Sequence, residues 1–499
     1  MEKLKISDNG RYFVKSDNTP FSWLADTAWT IPQRMKWDDV EYYMEKRKKQ
    51  GFTVLQIVAL DPERDIEMRN PCGQKALLND CLDTPNESYF KYLDWVIEKA
   101  EEFGFYILLL PVWGQLIVGE NWMGETFPKT VTEKNAWQYG KWIGERYREK
   151  NNILWCLGGD RQPIHKGIDY KNVWRRMAEG LAEGVTGKDV CYNKPDEVWD
   201  EMLLTYHACH EQETGECSTL SYWDDEEQWI RFVMIQSGHG LLPKNYEIIK
   251  KEYNRERIRP VWDGEPAYEM MPTSWPVSDS FHDSWMVRRR AYWSLFAGAF
   301  GFTYGHASVW CTISEKEKDQ IAVHTWSEAM DAQGAEQMRY VRAVLDDLQI
   351  MRCVPCQRVL MEHSEQKSRT EVEVKRELEQ HIQVCVHPER EFFCAYLPSG
   401  GRIRLDNMVL EEKLDIEKNM LYLWWFNPRN GKYYTGKGKE TKQAVEVNLS
   451  GETLQLEAPD QEVQKDWILI GCTQNEAIPV RDKEYYKLKD KKVTKVFDW

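Results

Sequence analysis

Eight short apolar runs, each closing on polar or aromatic residues, constrain this chain more than any other feature. They are FSWLAD (21–26), VLQIVAL (54–60), FYILLLPVWG (105–114), ILWCLGGD (153–160), LLTYHA (203–208), FVMIQSGH (232–239), PVWDGEP (260–266) and GFTYGHA (301–307). Stretches of helical period separate several of them. One spans 89–103, where Phe90, Leu93, Ile97 and Ala100 share a face and Gly104 ends the helix; another spans 38–50 and stops at Gly51. Further helices are expected near 137–147 and 284–298. This alternation predicts a parallel sheet with helical crossovers. The unbroken apolar run 105–110 is what a strand buried on both faces requires. Eight such runs in about 290 residues is the size of a (β/α)8 TIM barrel. Barrel enzymes place chemistry at the C-terminal ends of their strands, so the closing residues of each run are the candidates.

A helical stretch over 326–348 closes this unit, and the texture then changes. IQVCV, FFCAYL, RIRL, LYLWWF, AVEVNL and WILIG are short and divided by Gly, Pro, Asn and Asp. They predict a small antiparallel β-sandwich, with Asn430–Gly431 as a tight hairpin turn. The expected domains are therefore a catalytic barrel over 1–348 and a sandwich over 349–499, ending in a solvated Lys-rich tail after Asp482.

A net charge of -15 argues against a nucleic-acid partner, which needs clustered Lys and Arg. No run is long and apolar enough to span a membrane. The N-terminus, MEKLKISDNGRYF, has no apolar signal region, and the 12 cysteines are scattered. Both features point to a cytoplasmic protein with reduced, buried thiols. Cys353 and Cys356 form a CxxC with no second pair at zinc spacing, so no metal and no other cofactor is expected. The 23 Trp and 24 Tyr are mostly core, but they also suit a carbohydrate cleft, since sugar rings present apolar C–H faces to indoles.

Glycosidic cleavage needs a proton donor for the leaving oxygen and a second carboxylate at the anomeric carbon or its water. Asp160 closes ILWCLGGD, where Gly158 and Gly159 remove side chains ahead of it; the alternative is a turn or helix-capping role. Glu265 closes PVWDGEP, and an unpaired Glu ending an apolar strand is costly unless it has a function. Strand alternation places Asp263 on the same face, as an orienting or a purely structural group. Asp26, in ADTAW, is a candidate for gripping sugar hydroxyls or for capping the next helix. Trp29, Trp113 and Trp310 are candidate stacking platforms or core residues. His207, Gln236, His239 and His306 close three other strands and, like Arg161 next to Asp160, are candidates for binding substrate.

PFSWLADTAW, LGGDR, TYH, IQSGH, DGEPAYE and YGHASVW together resemble the apiosidase-like barrel of glycoside hydrolase family 140 over most of residues 15–345. LWWFNPRNGK and DWILIG resemble the sandwich that follows this barrel, a domain with a collagen-binding label. The resemblance implies hydrolysis at apiose, a branched pentose of plant polymers and glycosides. It implies Asp160 as acid/base, Glu265 as nucleophile and retention of configuration. With no signal segment, the expected substrate is a small imported plant glycoside or oligosaccharide carrying an apiosyl or similar pentosyl linkage.

Two rivals remain at this level. A metal-dependent barrel hydrolase would use His207, His239 and His306, although the first strand lacks a His-x-His pair. A catalytically silent sugar-binding protein would have lost one of the two carboxylates, and both are present.

Overall fold

The computed structural model describes residues 1–241, 244–274, 277, 280–361, 379–414, 416, 419–475 and 479–486; the end of the Lys-rich tail lies outside them. Eight parallel strands form one sheet: β1 (Trp23–Thr27), β2 (Val54–Val58), β3 (Tyr106–Leu110), β4 (Ile153–Gly158), β5 (Leu204–His207), β6 (Val233–Ile235), β7 (Val261–Asp263) and β8 (Gly301–Tyr304). Their spatial order is 6-7-8-1-2-3-4-5, so first and last strands pair and the sheet curls into a barrel. β5 and β6 lie side by side without a direct ladder. The Thr219 hydroxyl fills that gap. It donates to the Tyr206 carbonyl at 2.6 Å and accepts the Met234 amide at 2.9 Å.

All eight predicted runs are barrel strands; in all but the first the closing residues turn into the loops, whereas β1 carries its closing Asp26 within the strand and ends at Thr27. The crossover helices include α1 (Trp37–Lys49), α2 (Glu87–Phe103), α3 (Glu133–Arg146), α4 (Lys171–Thr186), α5 (Asn245–Tyr253), α6 (Ser284–Phe296) and α7 (Gln333–Leu348). α4 reads poorly from sequence because it contains Gly180 and Gly184. These glycines permit close packing on α3: a Cβ at Gly180 would lie 2.2 Å from the Trp137 carbonyl oxygen.

The C-terminal part is built on an antiparallel sheet of Val354–Pro355, Gln383–His387, Phe392–Leu397, Trp467–Cys472, Met420–Asn427 and Lys432–Tyr434, in that order, with Val445–Asn448 also paired to Met420–Asn427. A two-stranded ribbon (Arg402–Asp406 with Thr453–Glu457) and the helix Asn407–Lys413 cover one face. The predicted turn is present, and a Cβ at Gly431 (φ 70°) would meet the Tyr340 ring at 2.4 Å.

α6 has no polar face because it is packed between barrel and sandwich. Arg288 reaches across to Asp466 through two hydrogen bonds of 3.0 and 2.9 Å, both side chains buried. Trp285 and Trp293 donate their indole N–H groups to the Pro398 and His381 carbonyls at 2.7 and 2.9 Å. The apolar core of the barrel continues into Phe392, Tyr396, Trp424 and Ile468 of the sandwich, which makes the two parts one packed body.

Candidate active site

The site begins at the end of β4. Gly158 and Gly159 both take φ near +90°, and Asp160 follows at +53°. The glycines are obligatory. A Cβ at Gly158 would overlap the His207 carbonyl, and one at Gly159 would press on the Trp113 ring at 2.8 Å. Asp is among the residues that tolerate the left-handed region, at a modest cost. This turn aims the Asp160 amide at His207 Nδ1, 3.1 Å away. Nδ1 also lies 3.0 Å from the Ala208 carbonyl oxygen.

His207 Nε2 faces Glu265 Oε2 at 2.7 Å. Thus a single imidazole links the backbone of Asp160 to the carboxylate of Glu265. Tyr268 donates to Glu265 Oε1 at 2.6 Å, and His239 Nε2 stands 3.6 Å from the same oxygen. Burial alone would raise the Glu265 carboxyl; hydrogen bonds and positive charge from His207 and His239 outweigh it and hold the group well below the usual carboxylate range. Burial and the Glu265 charge push the Tyr268 phenol well up, so it remains a donor.

The Asp160 carboxylate has its own supports. Gln236 Nε2 donates to Oδ1 at 2.9 Å, and Arg161 Nη1 to Oδ2 at 3.0 Å. Arg161 is fixed in turn by the Glu120 carbonyl, at 3.2 Å from Nε and 3.1 Å from Nη2. The Asp160 side chain is 18% exposed, against 8% for Glu265. The charges of both carboxylates act on Tyr268 and on Cys209, so both lie in the neighbourhood of those two side chains.

The expected residues thus divide. Asp160, Glu265, Arg161, His207, Gln236 and His239 converge. The expectation for Gln236 needs refining: its amide is spent on Asp160 and on the His210 backbone rather than held open for a sugar hydroxyl. Trp29 and Trp113 are buried, with ring centres 5.4 and 5.5 Å from the His207 imidazole. They pack against the His207 ring. Trp310 is half-buried beside the Arg64 guanidinium, 5.9 Å from the ring centre.

Three expectations are corrected. Asp26 is completely buried, closed off by the Tyr43 hydroxyl and by Arg47 Nε at 2.6 Å, so it is a structural ion pair and cannot reach a ligand. Asp263 does not share a face with Glu265. The strand ends at Asp263, whose carboxylate turns away to Ser237 Oγ (2.8 Å), Asn245 Nδ2 (3.0 Å) and Ser294 Oγ (3.3 Å). His306 is buried, its Nδ1 accepting the Ser308 amide at 3.0 Å, and burial and the Arg47 charge push it down to about 3. It does not join His207 and His239, so the three histidines of the metal reading do not form one group. Among the described residues no three His, Cys, Asp or Glu side chains are grouped to hold an ion.

Three participants carried no readable signal. Tyr268 follows Glu265 by three positions, but nothing in the sequence shows that its hydroxyl turns back. Glu63 and Trp122 sit in loops after β2 and β3, and the Trp122 indole N–H donates to Glu63 Oε1 at 2.9 Å. Loop residues have no periodicity from which to place them.

The β2 loop also walls a cavity of about 200 Å³ that includes Thr30, Gln33, Arg34, Asp61 and Arg64. Burial pushes the Asp61 carboxyl up to about 7. An unfolded Asp titrates near 3.9. Between those values the folded chain keeps a proton that the unfolded chain has lost, so stability falls as pH rises through this window. Asp61→Asn is expected to stabilise the protein by about 4 kcal/mol at pH 8 and to have little effect near pH 4, as read by unfolding curves at the two values.

Residues 7–352 match the family model described as an apiosidase-like catalytic domain, and residues 354–471 match one described as a collagen-binding domain of a collagenase. A solved structure described as a glycoside hydrolase superposes with a TM-score of 0.76 at 23% identity, covering 95% of this chain and 98% of its own. One described as a glycoside hydrolase family 5 protein from Bacteroides vulgatus has the same score and identity, over 97% and 94% of the two chains. At that identity the likeness speaks to the fold. No curated protein matches the chain.

Proposed function

Because the chain belongs to the apiosidase-like family and is a glycosidase, we propose that it hydrolyses an apiosyl-like pentosyl bond of a plant-derived glycoside with retention, Asp160 acting as acid/base and Glu265 as nucleophile. The observation that carries this reading is the double support of Glu265 by His207 and Tyr268, directly across one imidazole from Asp160.

Glu265 suits the nucleophile because its environment keeps it ionised. The Tyr268 hydroxyl holds Oε1 and the His207 ring stands 2.7 Å from Oε2, which limits the reorganisation needed for attack on the anomeric carbon. Asp160 is the more exposed of the pair, as a group must be that meets first the leaving oxygen and then the incoming water. In the first step it gives its proton to the leaving oxygen while Glu265 forms the glycosyl ester. In the second it takes a proton from water as water displaces Glu265. Gln236 and Arg161 keep the carboxylate aimed through both steps.

The buried free thiols of Cys156, Cys217, Cys311, Cys353, Cys356, Cys385 and Cys394 support a reducing compartment, and with it a small imported substrate. The sugar is tested with a panel of methyl and glucosyl glycosides of apiose, arabinose and xylose, products followed by NMR. Turnover is expected with apiose and at least about 10-fold lower with the unbranched pentoses. Preference for a hexoside would overturn the pentosyl assignment.

A further inference from the structure

Asp160 is flanked by a second group of side chains, on the loops after β2 and β3 and beside Arg161. Arg161 ties the Asp160 carboxylate to the Glu120 carbonyl. Two residues on, Trp122 is 42% exposed and fixed by its indole N–H on Glu63 Oε1 at 2.9 Å. Glu63 is within electrostatic reach of both Asp160 and Arg161. Its second oxygen, Oε2, is buried and has no hydrogen-bond partner among the described residues. A buried acceptor without a donor is unfavourable, and it calls for a partner that arrives from outside.

We propose that Trp122 and Glu63 form the leaving-group subsite, which takes a ring bearing at least one free hydroxyl: the ring lies on the indole and the hydroxyl donates to Glu63 Oε2. This rests on the reading of Asp160 as proton donor. That donor must stand beside the leaving oxygen, so the leaving group lies on the Asp160 side of the bond and the cleaved sugar on the Glu265 side. The chain of contacts from Asp160 through Arg161 to the segment carrying Trp122 assigns the Trp122–Glu63 pair to the first side. A simple alkyl leaving group would use neither residue. A glycosyl leaving group would use both, and its binding would be spent in the transition state.

The test compares a methyl glycoside with a 6-linked glucose glycoside of the pentose found by the panel, apiose being expected. Both leave as unactivated alkoxides, so the comparison isolates the ring. Trp122→Ala is expected to lower kcat/KM for the glucose-linked substrate by about 10–100-fold and to leave the methyl glycoside within about 3-fold of the parent, and Glu63→Ala is expected to lower the glucose-linked substrate more than the methyl glycoside. Trp122→Phe, which keeps a ring face, should recover most of the loss. Equal losses on both substrates, or none on either, would overturn the subsite. If Asp160→Asn is as active as the parent on both substrates, the proton-donor reading fails first and the subsite with it. If Asp160→Asn loses activity while both subsite variants behave as the parent, only the subsite fails.

Discussion

Glu265→Gln is expected to lower kcat by at least about 10³-fold on every substrate, whatever its leaving group. The variant keeps shape and volume, so the His207 and Tyr268 contacts retain acceptable partners and the fold should persist. What it removes is the charge that attacks the anomeric carbon. A stronger form of the prediction uses Glu265→Ala with azide. The small anion should occupy the vacated space and attack directly, giving a glycosyl azide of inverted configuration. A residue that merely shaped the pocket would show neither the uniform loss nor the inverted product. Steady-state kinetics and NMR of the azide product decide between them.

Asp160→Asn should behave differently, because its contribution depends on what is leaving. General acid assistance is typically worth about 10²–10⁴-fold. That loss is expected for alkyl and sugar leaving groups, which need a proton as they depart. A nitrophenyl leaving group departs without one, so glycosyl-enzyme formation should be nearly spared and its hydrolysis slowed, giving a burst of nitrophenol followed by a low steady rate. Added azide, which needs no base, should raise the steady rate and give a glycosyl azide of retained configuration. The contrast of inverted product at one position and retained product at the other assigns the two roles independently.

The barrel was legible because its strands obey a rule that sequence displays: apolar runs, helical spacers, then polar closing residues. Asp160 and Glu265 were found by the same logic, since each is the last residue of such a run. The errors have a common cause. Asp26 also closes an apolar run, but Arg47, 21 positions later on α1, turns back to it and closes it within the protein. Nothing local shows that pairing. Asp263 and Glu265 were assigned one face by strand alternation, and the strand ends between them. His306 and the two buried tryptophans ended strands as expected, but packing around the barrel rim decided which strand ends open to solvent. Tyr268, Glu63 and Trp122 belong to loops, whose conformation is set by tertiary contacts rather than by pattern. The sequence therefore pointed to two candidate carboxylates along the chain, while the supports of each became visible only in three dimensions.

The central claim is that Glu265 becomes covalently bonded to sugar while Asp160 serves the oxygen being released. Asp160→Ala, mixed with a nitrophenyl glycoside of the active pentose, should accumulate the glycosyl-enzyme, because the base for its hydrolysis is gone. Proteolysis and mass spectrometry of the quenched mixture should then find one pentosyl adduct, on the peptide carrying Glu265. An adduct on another residue, or no adduct while the product forms with inverted configuration, would contradict the account.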